Sequence, residues 1–596
     1  MTEAAHGLRG TPAVLALCLA LSVATGLIWE LQNDEGVSFS VAVGELHLDG
    51  GPKATPLPVV ELYAMLDGRD DLDAAGVIAA LRNPDQMTHP PGFYLALNAW
   101  SALAGTRPLP QRVPAYLLGL LSVLAVGALA RRLVGTPRAA LAAMALMAVS
   151  PWFHGVSNFL RPYAPALCLG LWATLAVASA RPGPLRAPWR VAFVLLSAAG
   201  LYVVYHYAFV LLWHGVALLV LALRAEPRRR LPELLRLAAM TAGVALLFAP
   251  WVPTLIEHMS LTGDGGYFWK DPTAYAAPWP RAGRLLQRMA LGEVRNMWGS
   301  ELFAPALTAL GVTTALMLAW SFRRAGRPPL SRAASVVWAT APVYLALLVV
   351  ADLSRGASTA FISKYVFMLF PLLLLLVVRA GVGERPRTDV RAGDRSGARA
   401  PGDSASIRAR GSSLRLAGLS RLLIPAWLAL LLAATVTDVA MRARLESDHE
   451  FVARVVAAGD DPAQLVLLSS IESRFAVPLV LSLREAGVSR SLVGSGPGEA
   501  LLERVSRALK DPALRRLVLV RFDGTTPENA HITTHAYDDT WTPGLLERVV
   551  AQSQAAGWAL RRGLASDGPP ALTEAGSERV LILIDGVRTK RFHGHY

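Results

Sequence analysis

The stretch TPAVLALCLALSVATGLIWELQNDEG, residues 11–36, places two carboxylates, Asp34 and Glu35, directly after a long hydrophobic segment. A membrane-crossing helix needs about 20 predominantly apolar residues, and the apolar segment here covers approximately residues 12–31. Arg9 precedes it, but no small-x-small cleavage site follows it, so we expect a retained helix and not a removed signal peptide. The sequence therefore predicts a membrane helix that ends at the surface with two acids.

The composition of the whole chain indicates that this segment is one of many. Of the 596 residues, 53% are hydrophobic and only 17% are charged. A soluble chain carries charge on about a quarter of its residues. The composition therefore favours an integral membrane protein and argues against an ordinary soluble enzyme.

Further apolar runs predict about eleven membrane-spanning helices. The continuous apolar run 191–223 is too long for one span, and we divide it at YVVYHYAF (202–209), whose aromatic and histidine side chains are typical of a membrane interface. An odd number of spans places the two termini on opposite sides. The predicted spans are approximately 12–31, 113–130, 139–157, 161–179, 191–206, 207–223, 235–255, 302–322, 333–352, 362–378 and 420–437.

Arginines indicate which side of the membrane each link faces. Four short links are arginine-rich and alternate with neutral or acid-containing links, as the positive-inside rule requires of cytoplasmic loops. The net charge of +14 is thus a topology signal and argues against nucleic-acid binding. We expect a cytoplasmic (inner) membrane protein with its amino terminus inside, and with the first loop, 33–112, and the segment 438–596 outside. The arginine-rich links are 131–138, 181–190, 224–230 and 323–332.

The chain divides into a transmembrane module, 1–380, a loop, 381–419, a last span, 420–437, and a carboxy-terminal segment, 438–596. The loop is rich in Arg, Gly, Ser and Asp, which predicts a disordered basic cytoplasmic segment. In the last part, the apolar runs AQLVLLSS, RRLVLVRF and RVLILIDG alternate with helical patterns, which predicts an α/β domain with a parallel sheet. The predicted fold is a polytopic α-helical membrane protein with an extracytoplasmic α/β domain.

Residues that could carry chemistry concentrate in the first outer loop. The chain has no Walker loop, no His-Glu-x-x-His pattern and no Cys-x-x-Cys pair. Within the loop, THPPGFYLALNAWSALAG (88–105) places His89 and two prolines before a short aromatic apolar segment, which predicts a helix lying at the membrane interface. No clean set of metal ligands is present, so we predict no metal site and no cofactor, with a divalent ion left open.

Six ordered landmarks over roughly residues 10–380 resemble the GT-C membrane glycosyltransferases. The closest branch is glycosyltransferase family 39, in its bacterial protein-mannosyltransferase-like or aminoarabinose-transferase-like group. The resemblance implies a GT-C fold on the predicted sides of the membrane. The landmarks are DEGVSF, HPPGFYLALNAW, QRVPAYLLGLLSVLAVGALARRLVG, SPWFHGVSNFLRPYAPALCLGLWATLAV, LYVVYHYAFVLLWHGVAL and FAPWVPTL.

The resemblance implies transfer of a sugar from a polyprenyl-phosphate donor to an envelope acceptor, whether lipid, glycan or protein, on the outer face of the membrane. Such a displacement needs a carboxylate to take the proton of the acceptor hydroxyl and cations to hold the departing phosphate. Asp34 matches the acidic catalytic residue of the family, and Glu35 is a second candidate. Taken alone, both acids could simply mark the point where the helix leaves the lipid.

The resemblance also implies a role in substrate binding for Arg161, which precedes Pro162 and Tyr163 at an outer helix end. An arginine there is unexpected on the positive-inside rule, although a snorkelling arginine is the simple alternative. The family commonly has an acid where this chain has Phe159, which puts a second carboxylate from this helix in doubt. His89 is a candidate for the same site, or it caps the interfacial helix.

Three more candidates come from YVVYHYAF and from ISKYVFMLF (362–370). Lys364 and Tyr365 resemble the basic-Tyr pair that opens the tenth span in the family, so Lys364 could pair with the lipid phosphate; a snorkelling lysine is the alternative. His206, between two tyrosines, resembles the family's aromatic-His-Tyr turn, although a histidine between helices is often a hydrogen-bonded core residue. The outer loop 256–300 is rich in Gly, Trp and Tyr, which could stack on sugars or form an interfacial belt.

Two other classes of protein stay open at this point. A polytopic lipid or glycan transporter is equally helix-rich, but it is expected to show repeat symmetry and ionisable residues within its spans, whereas the charges here cluster at outer helix ends. A non-catalytic membrane assembly factor, whose outer domain binds a partner, is the second alternative. It would not depend on Asp34.

Overall fold

A computed structural model describes most of the bundle and most of the carboxy-terminal sheet. Asp34 and the predicted disordered loop lie outside the described residues, so the predictions made for them are untested. The described residues are 10–28, 35, 38–39, 41–42, 56–67, 73–82, 89–179, 187–262, 275–276, 278–291, 300–323, 332–355, 358–382, 422–440, 448–468, 473–495, 498–523, 543–564 and 579–588.

Apolar helices coincide with all eleven predicted spans, and the polytopic helical fold is confirmed. Four helical stretches are long and apolar enough to cross a membrane, and they are Pro108–Val134, Pro227–Ser260, Ser335–Ser354 and Leu422–Ala440. A bent pair, Pro137–Ala148 and Pro151–Asn158, passes the same test when its halves are taken together. The shorter apolar helices are Thr11–Leu27, Tyr163–Ala178, Pro188–Val203, Tyr207–Leu223, Pro305–Ala319 and Leu369–Gly381.

Two predicted spans differ from the structure in ways that matter for the site. The span predicted at 139–157 is bent by 62° at Ser150–Pro151, because proline has no N–H to continue the helix and the Ser150 hydroxyl caps the second half by accepting from the Phe153 N–H at 3.3 Å. Lys364 and Tyr365 were predicted to open the tenth helix, but they lie in turns before it, and the helix begins only at Leu369.

The first outer loop contributes its own helices. Its two amphipathic segments form Val59–Asp67 and Ala74–Arg82, and the segment after His89 forms Gly92–Ala104. Helices Val252–Thr262 and Pro278–Leu291 belong largely to the loop 256–300, which is named the second outer loop after its predicted side.

The carboxy-terminal segment supplies five strands of a six-stranded sheet with the order β1-β3-β2-β4-β6-β5. Strands β2 to β6 are parallel to their neighbours, as predicted, and β1 pairs antiparallel with β3. The strands are β1 Leu57–Pro58, β2 Gln464–Leu468, β3 Leu492–Ser495, β4 Arg516–Asp523, β5 Ala559–Leu564 and β6 Val580–Arg588. The accompanying helices are Asp448–Ala457, Ser473–Glu485, Gly498–Lys510 and Pro543–Ala555.

Both faces of this sheet are buried, which explains why its central strands are continuously apolar. In β2, Val466 and Leu468 pack into one apolar cluster, whereas Leu465 and Leu467 pack into another on the opposite face. Alternate side chains of a strand point to opposite faces, and a parallel sheet is normally covered on both.

Strand β1 belongs to the first outer loop and not to the carboxy-terminal segment. The helix that follows it, Val59–Asp67, packs against helix Ser473–Glu485 through a cluster that contains Leu62 and Leu479. The Tyr63 hydroxyl donates to the Val488 carbonyl at 2.8 Å. The α/β domain therefore rests directly on the loop that carries the two acids.

Candidate active site

Arg161 stands at the centre of a polar cluster at the end of the bundle that is predicted to face outward. Helix Pro151–Asn158 ends at an extended residue, Phe159, and the next helix begins at Tyr163 after Pro162. The short segment between the two helices projects Arg161, which is 8% exposed. The arginine thus lies inside the fold and does not extend along a lipid-facing surface.

The Arg161 guanidinium joins three parts of the chain. It donates to the Ser38 hydroxyl at 3.2 Å, to the Tyr94 hydroxyl at 3.4 Å and to His89 Nε2 at 3.2 Å. Because arginine carries only donors, Nε2 of His89 is the acceptor side of this contact. His89, predicted from the HPP landmark, therefore lies beside Arg161.

Lys364 lies in a second group of predicted residues. It is 6% exposed, and its Nζ lies 5.9 Å from the centre of the Tyr163 ring and 5.5 Å from that of Tyr365. The His206 ring stacks on Tyr365 at 4.4 Å with an interplanar angle of 18°. Such cation–ring contacts favour a lysine held within the cluster over one that snorkels along lipid.

The two groups are parts of one site. Arg161 and Tyr163 are two residues apart on the same turn, and the Tyr163 and Tyr365 rings meet edge to face at 6.1 Å. The structure therefore brings together all six residues that were predicted to bind substrate: His89, Arg161, Tyr163, His206, Lys364 and Tyr365. Their roles in binding remain predictions.

Glu35 is engaged in structural contacts. Its carboxylate is fully buried, accepts a hydrogen bond from the Leu160 backbone N–H at 2.8 Å and lies 3.5 Å from the Arg112 guanidinium. A carboxylate that takes a proton from a substrate hydroxyl must reach that hydroxyl. This environment favours an anchoring role for Glu35 over the catalytic role predicted from the sequence.

Arg112 is a residue that sequence reasoning missed. It is 1% exposed and donates to the Asn158 carbonyl at 2.8 Å and to the Gly26 carbonyl at 3.1 Å, in addition to its ion pair with Glu35. It thereby ties the end of the first helix to the turn before Arg161. An arginine at an outer helix end, against the positive-inside rule, was the available signal.

Asn158 extends this support into the bundle. Its side-chain oxygen accepts from the Tyr116 hydroxyl at 2.6 Å, and its side-chain nitrogen donates to the Ser22 and His154 carbonyls at 3.2 and 3.0 Å. A buried polar network that is well satisfied fixes one arrangement of the helices. Asn158 therefore ties the helix that ends just before Arg161 to the first helix and to helix Pro108–Val134.

Within the described ranges, no three His, Cys, Asp or Glu side chains lie together in a way that could hold a metal ion. Asp34 is not among those residues. The metal requirement that was left open from the sequence is therefore not tested.

A family model connects this site to a known class of enzyme. Residues 88–254 match the family described as dolichyl-phosphate-mannose-protein mannosyltransferase. Over this segment the chain is similar to a family of mannosyltransferases. The segment that matches contains His89, Arg161, Tyr163 and His206, whereas Lys364 and Tyr365 lie beyond it.

Solved structures show weaker likenesses to this chain. ArnT from Cupriavidus metallidurans bound to undecaprenyl phosphate is 14% identical with a TM-score of 0.44, over 82% of this chain and 86% of that chain. The oligosaccharyltransferase AglB from Archaeoglobus fulgidus, in complex with an inhibitory peptide and a dolichol-phosphate, is 12% identical with a TM-score of 0.40, over 81% and 64%. Likenesses at these TM-scores establish neither site nor substrate. No curated protein matches the sequence significantly.

Proposed function

We propose that the protein transfers a sugar from a polyprenyl-phosphate-linked donor to an envelope acceptor on the outer face of the cytoplasmic membrane. The observation that carries the proposal is the convergence of two mostly buried cations, Arg161 and Lys364, with His89 and tyrosine side chains in one cluster. The description of the matching family names a dolichyl-phosphate-linked mannose, which supports a lipid-phosphate-linked donor.

The proposed reaction is a displacement at the anomeric carbon. The acceptor hydroxyl attacks that carbon, the bond from the carbon to the phosphate oxygen breaks, and the phosphate leaves with the electron pair. Negative charge therefore grows on the phosphate, and arginine and lysine side chains in a site with little water stabilise such charge strongly. We assign this role to Arg161 and Lys364.

Asp34 is the proposed base that takes the proton of the acceptor hydroxyl. The support is its covalent neighbour: Glu35 is bound to the Leu160 N–H, one residue before Arg161. This contact anchors the start of the first outer loop beside the proposed phosphate site. In the proposed division of labour, Glu35 holds the loop and Asp34 reacts.

Lipid binding and transfer can be tested separately. We expect native mass spectrometry to detect undecaprenyl phosphate on the purified wild-type protein and on Asp34→Asn, but to detect much less on Arg161→Ala and Lys364→Ala, because these variants lack the cations. Asp34→Asn should lose sugar transfer while keeping the lipid. Arg229→Ala, an exposed arginine in a basic link, is the matched control and should bind normally.

Two results would contradict the proposal. If the wild-type protein binds no undecaprenyl phosphate when the lipid is in excess, the proposed donor class is wrong. If Asp34→Asn transfers sugar at the wild-type rate, the assignment of the base is wrong.

A further inference from the structure

A buried carboxylate lies near the end of the helix that precedes Lys364. Asp352, near the end of helix Arg332–Arg355, is 2% exposed. Its Oδ2 accepts from the Ala360 backbone N–H and from the Tyr275 hydroxyl, both at 2.7 Å. Its Oδ1 accepts from the Thr359 hydroxyl. One carboxylate thus joins a bundle helix, the turn after it and a residue of the second outer loop.

The position of Asp352 is not explained by the stability of its helix. The carboxyl end of a helix carries partial negative charge, so an acid near that end is unfavourable. Its three bonds all lead away from the helix. Two of them serve the 3-10 turn Thr359–Phe361, whose own N-cap, Ser358, makes no side-chain capping bond. Asp352 is therefore the cap of that turn.

The capped turn continues without interruption to the two residues of the site. The Ile362 N–H donates to the Thr359 carbonyl at 3.0 Å, and the Tyr365 N–H donates to the Ile362 carbonyl at 3.1 Å. On the bundle side, the Tyr344 hydroxyl donates to the Tyr365 carbonyl at 3.2 Å. The segment is thus held at both ends, by Asp352 at its start and by Tyr344 at Tyr365.

Tyr275 attaches the second outer loop to the same carboxylate. Its ring lies 5.2 Å from that of Phe361. Burial, together with the hydrogen bond to Asp352 and the charge of Asp352, holds the pKa of Tyr275 above its ordinary value. The phenol therefore stays a hydrogen-bond donor throughout the neutral and mildly alkaline range.

We propose that Asp352 is a positioning residue for the donor phosphate: it fixes the turn that presents Lys364 and Tyr365, and it links the second outer loop to that turn through Tyr275. This inference rests on the proposed function, because it assumes that Lys364 binds the phosphate. Asp352 itself does not touch the substrate. Its effect reaches the phosphate only through the segment that it caps.

The variant Asp352→Asn keeps the side-chain size but replaces one acceptor oxygen by an NH₂ donor that faces other donors. We expect about tenfold weaker binding of undecaprenyl phosphate, because the turn that presents Lys364 loses hydrogen bonds to a charged group. The KM for the donor should rise by a similar factor, with kcat at saturating donor nearly unchanged. Tyr275→Phe removes one neutral donor and keeps the ring, so about a threefold loss is expected.

A double-mutant cycle separates positioning from general stability. If Asp352 acts by placing Lys364, Asp352→Asn should weaken lipid binding in the wild-type background but have little further effect in a Lys364→Ala background. If the two losses multiply instead, the proposed role is wrong. Asp438→Asn replaces another buried acid of the bundle and should leave binding unchanged.

The outcomes also distinguish this inference from the proposed function. A wild-type protein that binds no undecaprenyl phosphate overturns the proposed function, and this inference with it. A wild-type protein that binds the lipid, with Asp352→Asn binding equally well, overturns this inference alone. If Asp352→Asn does not fold, Tyr275→Phe decides: unchanged binding by that variant rejects the link from Tyr275 through Asp352 to the phosphate site.

Discussion

At the scale of single residues, two adjacent acids have different assignments. The Glu35 carboxylate is buried against Arg112 and the Leu160 N–H, and Asp34 is the proposed base. A buried ion pair stabilises the folded protein little more than apolar side chains of similar volume would, but the loss of one partner leaves an uncompensated buried charge. This difference makes the two assignments separable by experiment.

We predict that Glu35→Gln destabilises the protein by about 3–5 kcal/mol, because the buried Arg112 guanidinium then loses its ion pair with the Glu35 carboxylate. Asp34→Asn should abolish transfer without such a loss. Detergent-solubilised protein can be compared by chemical unfolding. Glu503→Gln is the control, since its pair with Arg507 is exposed and is expected to contribute less than about 1 kcal/mol. A Glu35→Gln protein as stable as Glu503→Gln would contradict the anchoring role.

The sequence could identify the site residues but not the residues that hold them. His89, Arg161 and Lys364 were found because each lies in a short motif that resembles one of the family, whereas the family pattern as used here gave Arg112 no role. Arg112 and Asp352 were not found, because their partners are supplied by other segments: Arg112 lies 77 positions from Glu35, and Asp352 lies 77 from Tyr275. Nothing in a local pattern reports such pairings. They depend on how helices pack.

At the scale of elements, apolar length predicted the helices well and the strands only in part. The three strands that were predicted, β2, β4 and β6, are apolar runs buried on both faces of the sheet. Strand β3 was missed because it has only four residues, and β5 because its sequence ALRRGL contains two arginines. Strand β1 has two residues, one of them proline, and only its pairing with β3 defines it.

The turn before β3 depends on one carboxylate, and its stability should depend on pH. Asp460 accepts backbone N–H bonds from Ser489 and Arg490 at 2.8 Å and from Ser491 at 2.9 Å. Burial alone would raise the pKa of Asp460, but these bonds and the Ser491 hydroxyl outweigh burial and hold it below the ordinary value. The stabilisation is therefore complete above the ordinary pKa of aspartate, about 3.9, and is lost as the pH falls below it.

We predict that Asp460→Asn lowers the thermal stability of the α/β domain at pH 7 and that the difference from wild type shrinks below about pH 4, where Asp460 begins to be protonated in the unfolded chain. Thermal unfolding of the full-length protein at several pH values measures this. Asp511→Asn is the control, because it removes only one short-range backbone contact, to Ala513. A difference that stays constant down to pH 3 would contradict the prediction.

At the scale of the whole molecule, the α/β domain and the first outer loop form one unit. Arg484 donates to the Thr106 hydroxyl at 3.4 Å, and its guanidinium lies 5.9 Å from the Tyr63 ring. The Val59 N–H donates to the Ser491 carbonyl at 3.0 Å. The domain must therefore lie on the same side of the membrane as the candidate site, and the arginine pattern predicts that this is the outer side.

This orientation can be tested with single cysteines, because the native Cys18 and Cys168 are both buried. A membrane-impermeant maleimide should label Ala556→Cys, at an exposed position of the α/β domain, in intact spheroplasts. It should label Arg229→Cys only after permeabilisation. The reverse pattern would place the domain and the candidate site in the cytoplasm.

The pairing of β1 with β3 also sets the order in which the protein can be made. The ribosome completes Tyr63 long before its partner Val488, since 425 positions separate them. Domains begin to fold during synthesis from the amino-terminal end, but helix Val59–Asp67 must wait for nearly the whole chain before its apolar face is covered. A ribosome that stops after the last bundle helix would release an inserted protein whose first loop still exposes that face. The first outer loop, although synthesised early, therefore reaches its final packing only after strand β3 has been synthesised.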